Sequence, residues 1–133
     1  MPEKETMRRA RRDKREGKAP TTQAGEFVRE EMHHIREGKH GARNTKQAIA
    51  IGLSKARRAG VHLGPPPADA KPSTKRSAKS ATRASHRHRR PSPRRSRAVK
   101  RALRREGGRA ASHKALSRQA KSAARRRRRR TSA

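Results

Sequence analysis

Phosphate binding is the chemistry best represented among the side chains of this protein. Six arginines run without a break: Arg125, Arg126, Arg127, Arg128, Arg129 and Arg130. A guanidinium fork can bind two phosphate oxygens at once and does not deprotonate in proteins. If extended, such a run follows about 20 Å of a polyphosphate backbone. Further clusters lie at Arg8, Arg9, Arg11 and Arg12, at Arg89, Arg90, Arg94, Arg95 and Arg97, and at Lys100, Arg101, Arg104 and Arg105. All of these are candidate nucleic-acid-binding residues.

Other chemistry is thinly represented. His33 and His34, with Glu30 one turn before His34 and with His40 and His62 elsewhere, form the one pattern that invites a metal. Zinc sites use three or four ligands in a fixed arrangement, and there is neither a thiolate nor a His-Glu-x-x-His motif. No metal or cofactor is therefore expected, and the histidine pair reads as a polar helix face that adds to anion binding at lower pH. Glu30 and Glu31 read as neighbours on an exposed helix start, with no cleft to tune them for acid–base work. Ser54 has no base in an ordered position, and Gly38-Lys39-His40-Gly41 lacks the spacing of a nucleotide-binding loop. No catalytic residue emerges, and an enzyme is not expected.

Charge sets the partner class. The 133 residues hold 41 Lys and Arg against 10 Asp and Glu, a net +31. Residues 65–133 contribute 25 of the bases and only Asp69 and Glu106 in opposition. Solubility needs far less than this, and the self-repulsion is relieved by a polyanion. With 27% hydrophobic residues and a single aromatic, Phe27, the composition is that of a disordered chain. Cysteine is absent, so disulfides and thiolate sites are excluded. No apolar run approaches a membrane span, and no apolar stretch follows the first basic residues, so neither membrane insertion nor a secretory signal is expected.

The elements that must carry these groups divide the chain into four parts. Residues 1–20 read as a basic arm with transient helix. Residues 21–64 hold the one credible fold, a small all-α helical hairpin over about 24–60. Its first helix runs roughly from Glu26 to Glu37 with Val28, Met32 and Ile35 on one stripe and Phe27 at its edge. The second begins at Asn44 as N-cap, with Gln47 completing a capping box, carries Ile49, Gly52, Leu53 and Ala56 on one face, and ends at Gly60. Gly52 would let the two backbones approach closely. So small a unit is marginal, and weak self-association through Val28, Met32, Ile35, Ile49 and Leu53 is expected to support it. Residues 65–97 read as an unstructured linker rich in Pro, Ser, Ala, Lys and Arg. Residues 98–133 read as a basic, partly helical tail, with short amphipathic stretches at Ala98, Val99, Ala102 and Leu103 and at Ala115, Leu116, Gln119, Ala120 and Ala123. The fold class expected for the whole is mostly disordered.

Three resemblances bear on function. Ser92-Pro93-Arg94-Arg95 resembles the Ser-Pro-basic-basic turn of linker and sperm histone tails, which implies contact with a narrow minor groove. The Ala/Lys/Arg-rich C-terminal half is similar in composition to bacterial histone-like proteins with linker-histone character. The segment Asn44-Thr45-Lys46-Gln47-Ala48-Ile49-Ala50-Ile51-Gly52-Leu53-Ser54-Lys55-Ala56-Arg57 resembles the core of a family of short basic bacterial proteins of unknown function, some labelled plasmid stabilisation. That likeness covers about residues 23–63 and implies a bacterial, cytoplasmic setting, with no reaction to carry over. The expected function is non-enzymatic, largely sequence-independent DNA binding and condensation at the nucleoid. RNA or ribosome association is the close variant, and a protein-interaction adaptor built on the hairpin is the alternative from another class.

Overall fold

The computed structural model describes residues 2–87 and 92–131. The described residues form six α-helices: α1 (Lys4–Arg15), α2 (Pro20–Arg36), α3 (Thr45–Arg58), α4 (Pro72–Arg87), α5 (Pro93–Arg104) and α6 (His113–Thr131). A 3-10 turn, Arg109–Ala111, precedes α6. The expectation of a mostly disordered, intrinsically disordered chain is overturned, since helix fills the N-terminal arm, most of the linker and the tail.

Two sequence features explain the missed helices. Pro20, Pro72 and Pro93 each open a helix. At that position the missing N–H has no intrahelical acceptor to serve, and the fixed φ is already helical. The linker is also built from Ala, Lys and Arg, which are strong helix formers. Its Ala78, Ala81 and Ala84 recur every third residue, and Ala81 is buried where α4 packs on α3.

The centre of the fold is the α2–α3 hairpin. Gly52 makes it close: a Cβ there would lie 2.6 Å from Val28 Cα. Asn44 caps α3 through its Oδ1, which accepts from Gln47 N–H at 2.8 Å. The Gln47 side chain returns to Arg43 N–H at 2.6 Å, one residue before the position a capping box uses. At the far end Gly60 takes φ 96° and Val61 N–H bonds Ala56 O at 3.0 Å, which places Val61 against the core.

Two apolar clusters flank this hairpin. One joins Ala24, Phe27 and Ala56 to Ala10 and Met7 of α1, with Leu53, Val61 and Leu63 around them. The other joins Met32, Ile35, Ala42 and Ala48 to Ala110 and Ala111 of the 3-10 turn, with Val28, Ile49 and Leu116 packed against it. The five residues expected to drive self-association thus lie within or against the core, covered by α1, the 3-10 turn and α6. Arg36 Nε donates to Ala111 O at 3.0 Å and Thr45 Oγ1 to Ala110 O at 2.7 Å, which fastens the turn to both hairpin helices. The α2–α3 loop is fastened too: Gly41 N–H bonds Leu103 O at 2.8 Å and Ala42 N–H bonds Gly107 O at 3.1 Å. A Cβ on Gly41 would overlap the Glu106 carbonyl.

Among the described residues α5 packs on no other helix; its C-terminal end is held by the 41–42 loop alone. No described helix is long and apolar enough to cross a membrane.

Candidate nucleic-acid interface and a buried charged cluster

No Lys or Arg among the described residues is buried. Three of the ten carboxylates are, Asp13, Glu30 and Glu31. Folding therefore withdraws negative charge from solvent and leaves the positive charge outside.

The candidate phosphate ligands lie on α1, α5 and α6. Arg8, Arg11 and Arg12 are exposed on α1; Arg9 is partly covered, and Arg8 and Arg9 pair with Glu5 at 3.5 and 3.2 Å. Arg94, Arg95, Arg97, Lys100, Arg101, Arg104 and Arg105 are exposed along α5 and at its C-cap. Arg89 and Arg90 lie outside the described residues. The Ser92-Pro93-Arg94-Arg95 segment is the start of this helix and not an isolated turn, with Pro93 in its first turn. At 100° per residue, Arg94, Arg97, Lys100, Arg101, Arg104 and Arg105 share an arc of about 140°. Ala98, Ala102, Val99 and Leu103 occupy the opposite side. Arg125, Arg126, Arg127, Arg128, Arg129 and Arg130 are exposed but helical, in the last turns of α6. Helix compresses the run from the 20 Å expected of an extended strand to about 9 Å and points its side chains to all sides. Arg130 also reaches back to Asp69 at 3.2 Å.

The second concentration of charge is internal. Glu31 is fully buried and Glu30 is 4% exposed. This corrects the reading of both as exposed residues at a helix start: α2 begins at Pro20, so they fall mid-helix and face α3 and the N-terminal segment. The Lys55 ammonium, reaching across from α3, pairs with Glu31 Oε1 and lies 3.7 Å from Glu30 Oε2. Glu3 N–H donates to Glu30 Oε1. Neither Glu30 Oε2 nor Glu31 Oε1 accepts a hydrogen bond. His40, from the α2–α3 loop, donates Nδ1–H to Gly41 O at 2.9 Å, and its Nε2 faces Glu31 Oε2 at 3.0 Å. His34 places Nε2 2.9 Å from Glu3 Oε1 and Nδ1 4.0 Å from Glu31 Oε1. The two imidazoles meet edge to face, with centroids 6.2 Å apart. The His34 hydrogen bond, aided by the charges of His34 and Lys39, outweighs desolvation and holds the Glu3 carboxyl below its ordinary range.

Sequence reasoning singled out His34, His40 and Glu30 and dismissed them by spacing. Glu31 it set aside as exposed, and the residues it missed are Glu3 and Lys55. Glu31 and Lys55 carry the one legible signal, a carboxylate and an ammonium at helix positions turned toward the opposing helix.

No family model, curated protein or solved structure matches this chain.

Proposed function

We propose that this protein binds nucleic acid, DNA in the first place, by sequence-independent neutralisation of phosphate charge, and that it compacts the polymer as a nucleoid-associated protein without catalysing a reaction. The observation that carries the reading is the sorting of charge: no described Lys or Arg is buried, while three carboxylates are. A compact helical body with such a surface is a polycation of fixed shape. At one phosphate charge per 1.7 Å of duplex, the net +31 matches about 15 base pairs. Helix α5 suits the role because its cationic arc is exposed and its shaft carries no other helix. The near absence of aromatic side chains argues against stacking on unpaired bases.

The test is a salt titration of affinity for duplex DNA, duplex RNA and single strands, with the full chain. Steep and similar slopes for several unrelated DNA duplexes are the expected result. A shallow slope, or strong preference for one sequence, refutes charge neutralisation. Tighter binding to duplex RNA at every salt concentration would reassign the polymer. The full chain is required because Ala110, Ala111 and Leu116 belong to the same core as Met32 and Ile35.

A further inference from the structure

We infer that Glu31, His34 and His40 form a binding site for one divalent transition-metal ion, of which zinc is the natural representative. One ligand atom from each of the three lies within 4.8 Å of the others. Around a tetrahedral zinc with ligand distances of 2.0–2.1 Å, neighbouring ligand atoms stand about 3.3 Å apart. His40 Nε2 stands 3.0 Å from Glu31 Oε2 and His34 Nδ1 4.0 Å from Glu31 Oε1, so the carboxylate faces both imidazoles at distances on either side of that spacing.

The hydrogen bonds outside the site fix which nitrogens are offered. Gly41 O can only accept, so His40 carries its proton on Nδ1 and turns Nε2 to Glu31 Oε2. The Glu3 carboxylate likewise accepts a hydrogen bond from His34 Nε2–H, and His34 Nδ1 faces Glu31 Oε1. Each imidazole is thus anchored by an oxygen on its outer nitrogen while its inner nitrogen points at a shared carboxylate. That is the outer-shell arrangement of metal-ligating histidines, with a backbone carbonyl in one case and a carboxylate in the other.

The carboxylate itself supplies the second, independent reason. Glu31 Oε1 is sealed from solvent and accepts no hydrogen bond. The Lys55 ammonium lies against it as a bare ion pair and is shared with Glu30, whose Oε2 is equally unsatisfied. Two buried carboxylates face one ammonium, and a lone buried charge is costly. A divalent ion at Glu31 Oε2 adds positive charge beside these two carboxylates without displacing Lys55. The side chains of His34 and His40 are 13% and 15% exposed, so both rings border solvent while Glu31 lies beneath them. Bound there, the ion ties α2 to the loop that holds α5 through Gly41 and Ala42. Its role is that of a structural clip.

The test uses the full chain, stripped with a chelator and titrated with zinc chloride by calorimetry, with histidine NMR spectra recorded in parallel. One equivalent is expected to bind, raise the melting temperature, and move the ring resonances of His34 and His40 among the seven histidines. His34→Gln, His40→Gln and Glu31→Gln should each lower zinc affinity by at least about tenfold, while exposed His62→Gln should leave it unchanged. Should the Glu31 variant fail to fold, the wild-type NMR spectra and the two histidine variants still decide. No saturable binding, shifts confined to other histidines, or unchanged affinity in His40→Gln overturns the assignment.

Discussion

Replacing Arg97, Arg101 and Arg104 together by glutamine tests the proposed mode of nucleic-acid binding at its most exposed element. The three lie on one side of α5, spaced over about 10 Å of helix axis, which against a duplex corresponds to roughly six phosphates. Glutamine keeps the helix propensity close to that of arginine. The change also removes like-charge neighbours such as Arg97 and Arg101, an i,i+4 pair, so the helix itself should not weaken. Since α5 packs on no other described helix, no core contact is lost. If all three contact phosphates, the slope of log K against log salt should become shallower by about 2.7, at 0.9 per phosphate. At 0.1 M salt the same 2.7 decades correspond to an affinity loss of about 500-fold relative to the 1 M reference.

The assay is fluorescence anisotropy on a labelled duplex over a salt series, with circular dichroism confirming equal helix content. An unchanged slope with intact helix content would show that α5 does not lie along phosphates. An affinity loss without a slope change would show that the arginines act by some route other than counterion release.

Four further outcomes follow from the same structure. Gly52→Ala brings a methyl to within 2.6 Å of Val28 Cα, so the hairpin must separate and urea unfolding should show a loss of about 1–3 kcal/mol. Gly41→Ala forces the loop off the Glu106 carbonyl, and hydrogen exchange should show amide protection lost at Gly41 and Ala42 while α2 and α3 stay protected. Asn44→Ala removes the α3 cap and should cost about 1 kcal/mol by the same unfolding measurement. The hydrogen bonds that Lys18 donates to Glu16 and then Asp13 raise its pKa, so its contribution is complete below the unfolded value and lost as pH rises through the folded one. Lys18→Gln should therefore lower the melting temperature at pH 8, and the gap to the wild type should close in strong alkali.

The parts of the fold legible in the sequence are those that speak through local chemistry. Asn44, Gly52 and Gly60 mark the start, the inner face and the end of α3, and the structure uses each in that way. The rest was hidden because the core is made largely of alanine. Ala24, Ala48, Ala56, Ala81, Ala110 and Ala111 are all buried, and a count of large apolar side chains misses every one. Proline misled in the same direction, since Pro72 and Pro93 open helices within a segment that reads as an unstructured, Pro-rich linker. The internal charged cluster was invisible for a different reason. Glu3, Glu31, His40 and Lys55 come from the N-terminal segment, α2, the following loop and α3, and no spacing in one segment encodes their meeting.

Alanine packing and surplus charge are two sides of one solution. A helix that meets its neighbour through alanines can dock along a narrow stripe, because no bulky side chain must be accommodated between the axes. The remaining arc is then free to carry Lys and Arg without burying them, as α4 does around Ala81. A core of leucines would demand wider apolar faces and leave less helix surface for cations. The buried acids complete the arrangement. Held inside by Lys55 and the two imidazoles, Glu30 and Glu31 cannot compete with phosphate for the arginines outside, whereas the same two carboxylates on the surface would cancel two of the charges on which the proposed nucleic-acid binding depends.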